Sequence, residues 1–175
     1  MHAFKAAPLS RSDIRGIATQ FRRSLSLSQR PWFPVIEVIE TVLPTLYPNY
    51  TFEVVDADEL GSSHGLTERD GDQITIKLRS DIYERVLQGE GRDRGTAAHE
   101  LGHLLLHAIS PALHRHFGGT LRSFEDPEWQ AKCFQGELLV PREHVRGMSI
   151  AEVVRMCGVS YDAAEYQMRL YNAGK

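Results

Sequence analysis

The chain is poor in cysteine and in long apolar runs. Among 175 residues there are two cysteines, Cys133 and Cys157, too few for a disulfide framework and without a second ligand at metal-binding spacing. We expect both to be reduced, small apolar side chains. No apolar run approaches the roughly 20 residues that a membrane span needs, and the first residues lack a signal-peptide pattern. These absences predict a cytoplasmic protein without a membrane segment.

The chain also lacks a strong net charge, although its charges are unevenly distributed. Residues 1–34 carry six Lys or Arg against one acid, a segment charge of +5, which leaves −8 for the remainder of a chain of net charge −3. A basic helix of this kind can contact nucleic acid or an acidic partner, but a solvated helix face is the simpler interpretation. There is no internal repeat, and the length fits one domain over 1–175.

The most informative stretch is residues 96–107, which read TAAHELGHLLLH. Residues four apart lie on one helix face, so His99 and His103 can offer two imidazole nitrogens to one cation. Glu100 is beside that site but turned away from the line that joins the histidines. A carboxylate there can take a proton from a metal-bound water without ligating the metal. The pattern predicts a metal-dependent hydrolase, with this helix running from about 92 to 108.

A third ligand must come from elsewhere, because a catalytic zinc usually has three protein ligands and one open position. A metzincin would place a histidine six residues after His103, and this chain has Ile109 there. The remaining common solution is a carboxylate from a second helix. Glu128, which follows His103 by 25 residues near the start of a helix predicted to end at Pro141, is the first candidate.

Other side chains compete for roles at this site. Glu125 and Asp126 are substitutes for the third ligand, and Glu137 is a weaker one because it lies far along the same predicted helix. His107, four residues after His103, fits a hydrogen-bond partner of a ligand or a helix-end cap better than a fourth ligand.

The transition-state donor stays open between three residues. His114, His116 and Tyr161 are the candidates, and the two histidines are also possible ligands if the loop at 110–124 folds back. Solvated side chains are the simpler interpretation of that pair. His64 and His144 have no local pattern that indicates a role.

The pattern of the remaining residues predicts an α+β fold. We expect a mainly helical, zincin-like domain with a small antiparallel sheet packed beside the HExxH helix. We expect helices in 1–45, a sheet in 50–80, metal-site helices in 92–141 and a C-terminal helical pair in 149–172. Asp70-Gly71 indicates a hairpin turn, and Pro44 is expected to end the second helix. The alternating strand 73–79 is either a half-buried sheet edge or an edge that holds an extended peptide.

Two motifs together resemble the ImmA/IrrE metallopeptidases: T-x-A-H-E-L-G-H-L-L-L-H from Thr96, and E-x-x-A-x-x-F-x-x-x-L-L-x-P from Glu128 to Pro141. The resemblance implies His99, His103 and Glu128 as zinc ligands and Glu100 as the catalytic general base. It also implies a cytosolic endopeptidase that acts on a helix-turn-helix (XRE-type) repressor or an antitoxin-like partner, in phage, mobile-element or stress-response circuits. Residues 132–136 depart from the family's usual Asn-x-Phe-Ala-Ala.

Three functional hypotheses follow. The first is peptide hydrolysis at a zinc ion, with manganese as the alternative metal. The second is a metal-containing module that inactivates a repressor or toxin partner without cleavage; a purely structural metal, however, would not need Glu100. The third is DNA binding through residues 149–170, which the mixed charges there disfavour because no basic stripe is present. The oligomeric state is left open.

Overall fold

The computed structural model of the chain describes residues 3–109, 114–116 and 121–174. Five strands are present in these ranges: β1 Ala3–Lys5, β2 Tyr50–Val55, β3 Gly65–Asp70, β4 Gln73–Arg79 and β5 His114–His116. The same ranges contain the α-helices α1 Arg11–Ser24, α2 Val35–Glu37, α3 Leu43–Leu46, α4 Ala57–Leu60, α5 Ser80–Leu87, α6 Gly91–His103, α7 Pro127–Leu139, α8 Arg142–Val145, α9 Ile150–Cys157 and α10 Tyr161–Asn172. The predicted α+β, mainly helical class is confirmed.

The main sheet has three strands in the order β2-β4-β3. The predicted hairpin is confirmed, since β3 and β4 are antiparallel and Gly71 turns between them with a φ of 58°. The expectation of a wholly antiparallel sheet is corrected, because β2 runs parallel to β4. Residue alternation specifies which strand face is buried but not the direction of the neighbouring strand. Here α4 and β3 separate β2 from β4, and a connection of that length permits parallel pairing.

The position of β4 corrects a second expectation. Both interpretations of the strand 73–79 place it at a sheet edge, but β4 is paired on both sides. Its Ile76 and Leu78 are fully buried, as expected for a central strand. Within the described residues, the edges of this sheet are β2 and β3.

Helix α6 lies between the sheet and α7, and this packing forms the core. Leu101, Phe134 and Leu138 are fully buried there. Gly102 permits the close approach of the two helices, since a Cβ atom at this position would lie 3.2 Å from the Ala131 backbone. The metal-motif helix is therefore held between two layers, and its orientation is determined by the packing on both faces.

Two helices contain a wider, π-helical turn that the sequence did not predict. The first, Val38–Val42, precedes Pro44, and the helix continues to Leu46 instead of ending at the proline. A proline inside a helix removes one backbone hydrogen bond, and the wider turn lies directly before the segment that contains Pro44. The second, Leu104–Ala108, follows α6 directly and contains His107. Turns of this kind are often found at functional sites.

The C-terminal pair is stabilised by helix caps. The Ser149 side chain accepts from the Glu152 N–H, Gly158 takes the left-handed conformation with a φ of 63°, and Ser160 caps α10. No helix in the described part of the chain is long and apolar enough to cross a membrane.

A buried carboxylate joins α1, α7 and α10. Glu137 is 3% exposed, and it accepts hydrogen bonds from Arg15 at 2.8 Å, Gln167 at 3.0 Å and Tyr171 at 2.9 Å. Arg11 contacts the same carboxylate at 3.3 Å. A buried carboxylate of this kind is compensated by its donors. The Tyr171 hydroxyl also lies 2.6 Å from the Val140 carbonyl, so it keeps an acceptor without Glu137.

Replacing Glu137 by alanine should lower the free energy of unfolding by about 3–5 kcal/mol, because the substitution takes the acceptor from the buried Gln167 amide and the counter-charge from Arg11 and Arg15. Urea unfolding at neutral pH measures the effect. The matched control is Glu143→Ala on α8, an exposed glutamate for which little change is expected. Equal stabilities of the two variants would contradict this account of the Glu137 cluster.

Candidate metal centre

His99 and His103 project from one face of α6 into a cleft of about 740 Å³. Their Nε2 atoms are 3.1 Å apart. Helix α7 begins opposite them, where the Asp126 side chain accepts from the Glu128 N–H and Pro127 occupies the first turn. This start brings the Glu128 Oε2 atom to 3.3 Å from His99 Nε2, and its Oε1 atom to 3.3 Å from His103 Nε2.

The three side chains form a group that fits a metal ion. One ligand atom from each residue lies within 4.8 Å of the others. A tetrahedral ion with ligands at ~2.1 Å separates its donor atoms by roughly 3.4 Å. The observed contacts of 3.1 and 3.3 Å are close to that separation. Two imidazoles and one carboxylate are also a donor set that zinc uses in hydrolases.

Glu100 lies beside this group, held from the side of the sheet. It is 6% exposed, and the Thr67 hydroxyl on β3 lies 2.8 Å from its Oε2 atom and 2.9 Å from its backbone carbonyl. Gly65 leaves room for it, since a Cβ there would be 2.8 Å from the Glu100 Cγ atom. Burial raises the pKa of the Glu100 carboxyl above its usual value, while the Thr67 hydrogen bond opposes this rise.

His103 also has a partner on its other ring nitrogen. The Nδ1 atoms of His103 and His107 are 3.1 Å apart, and His107 Nε2 is 2.9 Å from the Gln130 Oε1 atom on α7. His107 is 6% exposed and Gln130 is fully buried. Burial lowers the pKa of His107 to about 4, which favours its neutral form at pH 7.

A family comparison agrees with this geometry. The model of the peptidase M78 family, described as the IrrE N-terminal-like domain, matches residues 58–169. The chain belongs to this family. The match confirms the ImmA/IrrE resemblance and supports a metallopeptidase-type function that uses a metal ion. Among curated proteins, no sequence matches the chain.

The other candidate carboxylates serve different purposes in this family member. Glu125 pairs with Lys5 at 2.8 Å, Asp126 caps α7, and Glu137 belongs to the buried cluster of α1, α7 and α10. Within the described ranges, they are not part of the group that could hold a metal.

The remaining candidates are placed as follows. Tyr161 is 57% exposed and is not among the described residues that line the cleft. His144 lies 2.8 Å from the Ser28 carbonyl. The backbone of His114 and His116 forms β5, paired with β1, but their side chains are outside the described part of the structure. The prediction that one of them acts as a donor therefore stays a prediction.

Sequence reasoning missed four residues at the site. Thr67 contacts Glu100, and Gln130 contacts His107. The other two, His64 and Arg92, line the cleft. Arg92 alone had a usable signal, because it precedes His99 by seven residues and so shares its helix face. Thr67, Gln130 and His64 reach the site only through tertiary packing.

Proposed function

We propose that this protein is a zinc-dependent endopeptidase, with His99, His103 and Glu128 as the metal ligands and Glu100 as the catalytic general base. The observation that carries the proposal is the convergence of three donors and one buried carboxylate in a single open cleft. Zinc is the preferred metal, because two imidazoles and a carboxylate are a ligand set of catalytic zinc sites. Manganese is the alternative, because carboxylate ligands also suit it.

Glu100 acts as the proton carrier in this proposal. The ion, when bound, polarises the peptide carbonyl and activates a water. Glu100 accepts the proton of the attacking water and returns it to the leaving amine. Thr67 holds one carboxylate oxygen at 2.8 Å, which fixes the direction in which the other oxygen points. The raised pKa of Glu100 makes the carboxylate a stronger base than an exposed glutamate.

An extended peptide is the substrate form that fits the cleft. Gly65, Leu66 and Thr67 of β3 line it, and β3 is a sheet edge among the described residues. Main-chain groups of an edge strand can pair with an added peptide strand. The peptide would then run alongside α6, past the histidines and towards Arg92.

The positive charge of Arg92 leads us to expect a preference for certain residues in the substrate. Arg92 lines the cleft and makes no ion pair with any residue in the described ranges. Seven helical residues rise about 10 Å, a distance that about three residues of an extended chain cover. We therefore propose a preference for an acidic residue about three positions from the cleaved bond.

The proposed physiological substrate is a helix-turn-helix repressor or an antitoxin-like partner in the cytoplasm. The support for this partner is what the resemblance to the ImmA/IrrE metallopeptidases implies, together with the family membership of the chain. Cys133 and Cys157 are free and buried, which agrees with a reducing compartment.

The test is incubation of the zinc-loaded protein with purified helix-turn-helix (XRE-type) regulators from its own source. We expect fragments of the regulator that disappear with a chelator and return when zinc is restored. Mass spectrometry of the fragments locates the cleaved bond and its acidic neighbour. A regulator that loses DNA binding while its chain stays intact would favour the non-cleaving module and contradict the proposal.

A further inference from the structure

Helix α7 carries the buried side chain of Gln130, which contacts two backbone carbonyls on one side and His107, beside the metal group, on the other. The Gln130 Nε2 atom is 2.8 Å from the Ala7 carbonyl and 2.8 Å from the Phe124 carbonyl. Carbonyl oxygens only accept hydrogen bonds, so the amide nitrogen of Gln130 must face both of them. A flipped amide would place its oxygen against two other oxygens. The orientation of Gln130 is therefore determined by the backbone.

This orientation determines the protonation of His107. With its NH₂ group on the two carbonyls, Gln130 presents its Oε1 atom to His107 Nε2 at 2.9 Å. An amide oxygen accepts, so His107 must carry its proton on Nε2. A neutral imidazole with a proton on Nε2 has a lone pair on Nδ1. His107 Nδ1 is therefore an acceptor for its neighbour.

The neighbour is the candidate metal ligand His103. Its Nδ1 atom is 3.1 Å from His107 Nδ1, and two ring nitrogens at this distance need one proton between them. Because His107 Nδ1 accepts, that proton belongs to His103 Nδ1. His103 Nε2, which faces His99 and Glu128, is then the nitrogen available to a metal ion.

We propose that Gln130 and His107 are positioning residues that hold a proton on His103 Nδ1 and so direct its Nε2 atom, beside Glu128, towards a metal ion. The direction of every hydrogen bond in the series is set by the carbonyls of Ala7 and Phe124. The π-helical turn Leu104–Ala108 contributes to the arrangement, because it carries His107 within the buried interface between the two helices. The inference rests on the metal site proposed above, but it needs no peptide substrate.

Long-range ¹H–¹⁵N NMR of the metal-free, full-length protein tests the proposal directly. We expect a proton on His103 Nδ1 and a single proton of His107 on Nε2, with signals assigned through His103→Ala and His107→Phe. A His103 ring without a proton on Nδ1, or a His107 ring protonated on Nδ1, would overturn the proposal. These NMR signals do not depend on proteolysis. The proposal about His103 can therefore fail while the peptidase assignment holds, and the reverse is also possible.

Zinc affinity gives the second measurement. His107→Phe and Gln130→Leu replace polar side chains by apolar ones of similar size. They should weaken zinc binding by about 10- to 100-fold, the range observed when a ligand histidine loses its hydrogen-bond partner. The matched control is Leu106→Ala, a buried residue of the same π-helical turn. It should destabilise the fold while keeping zinc affinity and the His103 Nδ1 proton. Folded His107→Phe and Gln130→Leu proteins with wild-type zinc affinity would contradict the proposal.

Discussion

Replacing Glu100 by glutamine should abolish detectable peptide hydrolysis while zinc remains bound. The amide has nearly the shape of the carboxylate and can still accept from Thr67, but it cannot take a proton. Loss of a general base reduces turnover by roughly 100- to 10,000-fold. Fragment formation from the regulator measures the activity, and zinc content measured on the same sample shows that the ligands are intact.

The matched control for this variant is Glu68→Gln. Glu68 lies on β3 next to Thr67 but pairs with Lys77 at 2.6 Å, so its carboxylate has another partner. Activity equal to that of the unmodified protein is expected for this control. Cleavage by the Glu100→Gln protein at the unmodified rate would refute the assignment of Glu100 as the base.

Replacing Glu128 by alanine should weaken zinc binding by more than about 100-fold. The loss should exceed that of the outer hydrogen-bond partners, because the substitution removes a direct ligand and leaves two imidazoles. The Glu128 side chain is 73% exposed, so the variant should fold normally. Competition with a coloured zinc chelator measures the affinity, and circular dichroism checks the fold.

Glu125→Ala is the control that separates a ligand from a nearby charge. It removes a carboxylate three residues earlier whose partner is Lys5. Zinc affinity close to that of the unmodified protein is expected. If Glu125→Ala lost the metal and Glu128→Ala kept it, the third ligand would have to be reassigned.

The local elements of the site were predictable because their signals are local. The i, i+4 spacing of His99 and His103 requires only a helix, and the start of α7 follows from Asp126 and Pro127. Glu128 was predictable as the third ligand because it follows His103 by 25 residues and stands near the start of a second helix. The structure brings Glu128 and the two histidines together.

Contacts that depend on tertiary packing were not predictable. Gln130 resembles any polar residue of an amphipathic helix, and Thr67 any residue of a hairpin, until α7 and β3 are placed against α6. The parallel pairing of β2 was missed for the same reason, since alternation in a strand contains no information about its partner. The continuation of the helix past Pro44 depended on a π-helical turn, which has no clear sequence signal.

The central claim is that one ion is bound between α6 and α7 by three named side chains. The most direct measurement is a crystal structure of the zinc-loaded protein with anomalous diffraction recorded on both sides of the zinc absorption edge. The account predicts one zinc peak at about 2.0–2.2 Å from His99 Nε2, His103 Nε2 and a Glu128 oxygen. A zinc peak bound by other residues, or a fully loaded protein in which Glu128 makes no contact with the ion, would contradict it.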